Sequence, residues 1–125
     1  MSYRTTSDNI DMAEKFRIVE AYKNYFSDFL AGLSQPVRDK IYWTFNLIET
    51  IPRVSEKYLK NLAGTDGLYE IRIEFGGDIF RVFCFFDDGK LVILLNGFAK
   101  TTQKTPKREI ERAVRLREQY YEEKS

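Results

Sequence analysis

Seven basic side chains crowd the stretch 98–117: Lys100, Lys104, Lys107, Arg108, Arg112, Arg115 and Arg117, opposed there only by Glu109 and Glu111. Interleaved with Thr101, Thr102, Gln103 and Thr105, such a run can hold a phosphate backbone. A solvated helix face behind a polar loop has the same composition. Two further arginines, Arg72 and Arg81, sit inside alternating apolar stretches and so belong to strands. If Phe80, Val82, Cys84 and Phe86 turn toward helices, Arg81 stands on the opposite face with Ile79, Phe83 and Phe85, and Arg72 shares that face. Guanidinium groups among exposed rings suit phosphate and stacked bases. They equally suit a protein partner, or a plain cross-strand pairing of Arg81 with Glu70 or Glu74.

Two absences narrow the chemistry. The chain contains no histidine, which removes Ser-His-Asp and Cys-His catalysis, histidine acid/base work, and nearly every zinc or haem site. Its one cysteine, Cys84, lies in the run Phe83-Cys84-Phe85-Phe86 and reads as a small buried hydrophobe. Neither a dinucleotide-binding glycine fingerprint nor a phosphate-binding Walker loop is present, so no cofactor and no metal are expected. No run approaches the roughly 18 apolar residues of a membrane span, and residues 1–14 lack the apolar stretch of a secretory signal. A cytoplasmic setting with no membrane contact is expected.

The 125 residues, 43% hydrophobic and 31% charged, suffice for one domain with a real core. Residues 1–14 read as a flexible arm and 15–125 as a single domain. Residues 15–21 alternate as a short strand. Tyr22, Tyr25, Phe26, Phe29, Leu30 and Leu33 then recur at helical spacing. A second helix follows Ser34, with Pro36 in its first turn, carries Val37, Ile41, Phe45 and Ile48, and stops at Pro52. From residue 68 the period becomes two, giving strands over 68–75, 79–86 and 91–96 separated by turns at 76–78 and 87–90. A last helix runs from Pro106 to Glu122, with Tyr120 and Tyr121 at packing spacing. The expected order is β-αα-βββ-α: an α+β fold with an antiparallel meander and the helices on one sheet face.

Several of these segments resemble a known family. Leu59-Lys60-Asn61-Leu62, Gly67-Leu68-Tyr69-Glu70-Ile71-Arg72 and Phe80-Arg81-Val82-Phe83 are similar to the central block of RelE/HigB-like toxins. The stretch from Leu94-Leu95-Asn96-Gly97-Phe98 through Ala99-Lys100-Thr101-Thr102-Gln103-Lys104-Thr105-Pro106 resembles the signature of their phage-derived, Gp49-like branch within the RelE/ParE superfamily. The resemblance spans about residues 15–122. It implies a RelE-like fold and the toxin of a type II toxin–antitoxin pair that cleaves mRNA on the ribosome. A small helix-turn-helix antitoxin is the implied partner, with Phe83 and Phe85 as a docking surface. By the same resemblance Arg81 stabilises transition-state charge, Arg72 holds phosphate or orients Arg81, and Lys100 stabilises charge or donates a proton. Lys104, Lys107, Arg108 and Arg112 are then RNA or ribosome contacts. The chain departs from the family at Thr101, where a second lysine is frequent, and at Asn96, where histidine is common. A toxin-fold protein that only binds its antitoxin, or a ParE-like inhibitor of DNA gyrase, are the alternative readings.

Overall fold

The computed structural model describes residues 15–100 and 104–125, with the backbone alone at Lys100. The arm expected over residues 1–14 lies outside the described residues. In chain order the elements are β1 (Ile18–Ala21), α1 (Tyr25–Ala31), α2 (Gln35–Thr50), β2 (Leu59–Asn61), β3 (Leu68–Phe75), β4 (Asp78–Asp87), β5 (Leu91–Lys100) and α3 (Lys107–Lys124). The fold is α+β, as the alternation of periods predicts. One five-stranded sheet runs in the order β1-β5-β4-β3-β2, with β1 parallel to β5 and every other pairing antiparallel. Strand β2 is an addition to the expected order, its three residues being too few to show a period.

The helices do not share one face of the sheet. The α1–α2 hairpin covers the face that carries Ile71, Ile73, Phe80, Val82, Cys84, Val92 and Leu94. Helix α3 covers the other face, over Leu68, Phe83, Phe85, Ile93, Leu95 and Phe98. The cause is β4, whose residues from Ile79 to Phe85 are all buried. A strand that is apolar on both sides needs two covers. Phe83 and Phe85, expected as an exposed docking surface, are accordingly buried, at 0% and 2% exposure. The Tyr22–Leu33 stripe is divided for a related reason. Lys23 adopts a left-handed backbone (φ 53°), so α1 starts only at Tyr25 and Tyr22 turns toward α3.

Strand β5 runs to Lys100, past the expected end at Asn96, because it carries a bulge. Val82 pairs with Gly97 and Cys84 with Leu94, so Leu95 and Asn96 together oppose Phe83. The extra residue reverses the facing of everything beyond it. Phe98 thereby joins the α3 face, and Gly97 turns to α1, where a Cβ would meet the Phe29 ring at 2.6 Å. Cys84 is fully buried, which pushes its thiol pKa upward and leaves it a packing residue.

Helix α3 is fastened at its C-terminal end and midway along its length. Asp87, at the end of β4, accepts hydrogen bonds from Tyr120 Oη (2.6 Å) and Lys124 Nζ (2.7 Å). Lys124 and then Tyr120 hold the Asp87 carboxyl below its usual value, while the Asp87 bond and burial push Tyr120 up to about 12. Arg117 donates to the carbonyls of Thr65 and Asp66, both at 2.8 Å.

Gly97→Ala should lower the unfolding free energy by about 1–3 kcal/mol through overpacking against Phe29. Phe29→Leu in the same chain should return part of that loss, read by urea denaturation. For Asp87 the depressed carboxyl stabilises the fold fully above the unfolded value of 3.8 and ceases to do so as pH falls through the folded value. Asp87→Asn should therefore cost about 1 kcal/mol at neutral pH, and the gap from wild type should close as pH falls below 3.8 and through the depressed folded value.

Candidate functional site

The β3–β4 hairpin sets the site. Its tight turn at Gly76 and Gly77, both in left-handed conformations (φ 61° and 87°), fixes a register that places Arg72 directly opposite Arg81. Like charges in that position repel. Glu70 stands two residues before Arg72 on the same face and diagonal to Arg81. Its Oε1 lies 3.5 Å from Arg72 Nε and its Oε2 lies 3.5 Å from Arg81 Nε. The second oxygen also accepts a 2.5 Å hydrogen bond from Thr105 Oγ1, in the segment leading into α3.

This centre is dry. Arg81 is 0% exposed and Glu70 is 3% exposed, while the Arg72 side chain keeps 17%. Burial lowers the Arg81 pKa below the ordinary 12.5; Glu70 opposes that shift and Arg72 adds to it. An arginine so shifted remains a cation at neutral pH. The Arg81 guanidinium lies 5.9 Å from the centroid of Phe98, which packs on Phe83 at 5.5 Å. The bulge residue Asn96 is buried beside this group. Its Nδ2 donates to the Glu109 carbonyl (3.5 Å) and carboxylate (3.4 Å) in the first turn of α3, while its Oδ1 has no hydrogen-bond partner among the described residues.

The other expected site residues divide by position. Lys100 pairs through its backbone with Ile79, two places along β5 from Phe98, the partner of Arg81; its side chain lies outside the described residues, as do Thr101–Gln103. Lys104 is exposed and adjoins the Thr105–Glu70 bond. Lys107, Arg108 and Arg112 are exposed along α3, and Arg112 lies 5.7 Å from the ring of Tyr25 on α1. The fold therefore gathers Arg72 and Arg81 into one group and spreads Lys104, Lys107, Arg108 and Arg112 along a solvent-facing flank. Tyr120 packs edge-on against Phe85 and Tyr22.

The sequence presents Glu70 only as one of two pairing partners for Arg81 and gives no reason to single out Thr105. The signal for Glu70 is its place on the Arg72 side of β3; nothing local marks Thr105. Among the described residues no group of three acidic, cysteine or histidine side chains converges to hold a metal ion. No described helix is long and apolar enough to cross a membrane.

The chain is an α+β domain with two arginines paired inside its sheet and a row of exposed bases beside them. The family follows from comparison: a model of phage-derived Gp49-like proteins (DUF891) matches residues 28–118, so the chain belongs to that family, a toxin-like one. A search of curated proteins finds no match.

Removing the carboxylate alone leaves two buried cations facing each other. Glu70→Gln should lower stability by about 3 kcal/mol. Adding Arg81→Met should recover part of that loss in a double-mutant cycle followed by urea denaturation.

Proposed function

We propose that the protein is the toxin of a type II toxin–antitoxin pair, and that it cleaves mRNA on the ribosome in the cytoplasm. A helix-turn-helix antitoxin is its silencing partner. One observation carries the reading: Arg72 and Arg81 face each other across adjacent strands with the Glu70 carboxylate beside both. Membership of a toxin-like family supports the same direction.

In the proposed reaction an RNA phosphodiester displaces Glu70 from the two guanidiniums. The ribose 2′-oxygen attacks phosphorus and loses its proton to the Glu70 carboxylate. Arg81 and Arg72 stabilise the added negative charge on the phosphorane oxygens. The 5′-oxygen leaves with a proton from Lys100, producing a 2′,3′-cyclic phosphate and a 5′-hydroxyl. Lys104, Lys107, Arg108 and Arg112 hold flanking phosphates or ribosomal RNA through salt-sensitive contacts. The chemistry requires neither metal nor histidine.

The complete burial of Arg81 favours a second reading, in which the domain binds an antitoxin and has no nuclease activity. Inducible expression in bacteria separates the two. Wild type should arrest growth and create new mRNA 5′ ends in phase with codons. Lys100→Ala should abolish both, as should Arg81→Ala, with folding of each variant verified by circular dichroism. No arrest from folded wild type would favour the binding-only protein, and arrest without cleavage would favour gyrase inhibition.

A further inference from the structure

A second basic group lies beyond the Glu70 centre, at the outer edge of β3. Strand β2 contributes only Leu59, Lys60 and Asn61, and its last rung joins Leu59 to Ile71. The Tyr58 carbonyl then accepts a hydrogen bond from Arg72 N (2.9 Å). Past that point a cavity of about 130 Å³ opens, lined by Lys40, Lys57, Tyr58, Arg72, Ile73 and Glu74. Three cations meet one carboxylate there. Lys40, on α2, has its ammonium 4.9 Å from the ring of Trp43, one turn further along the same helix. Lys57 lies 5.6 Å from the ring of Tyr58, and Tyr58 meets Trp43 edge-on at 5.9 Å. Trp43 is 47% exposed.

Each lysine–ring pair alone is an ordinary surface contact. Their convergence is what calls for an account, because Lys40 on α2 and Lys57 in the loop before β2 line one small cavity together with Arg72 of β3, beside an exposed indole. Arg72 belongs to both places. It ion-pairs with Glu70 on one side and lines this cavity on the other.

We propose that the cavity is a subsite for single-stranded RNA, taking a phosphate next to the scissile one between Lys40 and Lys57 while its base stacks on Trp43. The proposal rests on the nuclease reading and extends it. Excess positive charge selects a polyanion, and the open ring selects one with exposed bases, since stacking on aromatic side chains is how unpaired strands are gripped. The shared Arg72 makes the track continuous: a strand leaving the Glu70 centre reaches the cavity around the edge of β3.

Trp43 is the only tryptophan in the chain, so its fluorescence reports on this place alone. The test titrates purified protein with a 2′-O-methyl oligouridylate hexamer, which cannot be cleaved by its own 2′-oxygen. Saturable quenching is expected. Lys40→Ala with Lys57→Ala should weaken binding about tenfold at low salt and reduce the salt slope by about 0.7, the share that one phosphate of a single strand carries. Glu74→Gln should tighten binding severalfold. Circular dichroism verifies that the variants fold. Absence of saturable quenching would overturn the subsite, as would unchanged affinity in the double lysine variant, or equal quenching by a polyglutamate of the same charge. The readout is independent of cleavage. Quenching without mRNA cleavage in cells would overturn the nuclease reading and retain RNA binding here, whereas cleavage without quenching would remove the subsite alone.

Discussion

The structure depends on one buried carboxylate. A hairpin register that sets Arg72 against Arg81 inside a packed sheet face would be repulsive if the arginines stood alone, and the hairpin has no apolar way to resolve it. Glu70 resolves it from the same strand. Through Thr105 it also draws the segment before α3 onto the sheet. The electrostatics of the candidate site and the seating of the helix that covers it are therefore one arrangement. Any ligand that takes the place of Glu70 must satisfy the same two cations and must also loosen the Thr105 attachment.

The second constraint is the thickness of the core. β4 is apolar on both faces, so the molecule is a three-layer sandwich with two separate cores that share a sheet. The bulge in β5 serves both layers. It brings Phe98 beneath Arg81 on one side and presents Gly97 to Phe29 on the other. A regular strand would have exchanged those two residues and left a phenylalanine facing α1 where only a glycine fits.

Much of this is legible in the sequence because it is written in local period. The change from helical spacing to alternation at residue 68 marks the meander, and Pro36 and Pro52 bracket α2. Arg72 and Arg81 declare themselves as charges within strands. What escapes is the information that resides in pairing rather than in period. Whether the face bearing Phe83 and Phe85 is open or covered depends on where α3 lands, and its amphipathic pattern does not specify which side of the sheet it takes. The bulge at Leu95 and Asn96 leaves no local mark, since a strand that simply stops at Asn96 accounts for the same residues. Glu70 is visible as a partner for Arg81, but its role between two arginines emerges only once the register is known. Thr105 reaches it from 35 residues away.

The N-terminal strand shows what kind of folding such a topology imposes. β1 is held on one side by β5, with Ile18 opposite Leu91 and Ala21 opposite Leu94. On its other side the Glu49 carboxylate accepts from Val19 N and the Glu49 carbonyl from Phe16 N. Tyr22 and Lys23 are then tied to Glu123, about a hundred residues along the chain. During synthesis these early residues wait for the last strand and the last helix before they can pair. Closure is thus a late, long-range step of the kind that slows folding. The sheet therefore cannot close until β5 has been made, and the Tyr22 and Lys23 attachments wait for the far end of α3, so β1 spends most of the synthesis of this domain without its partners.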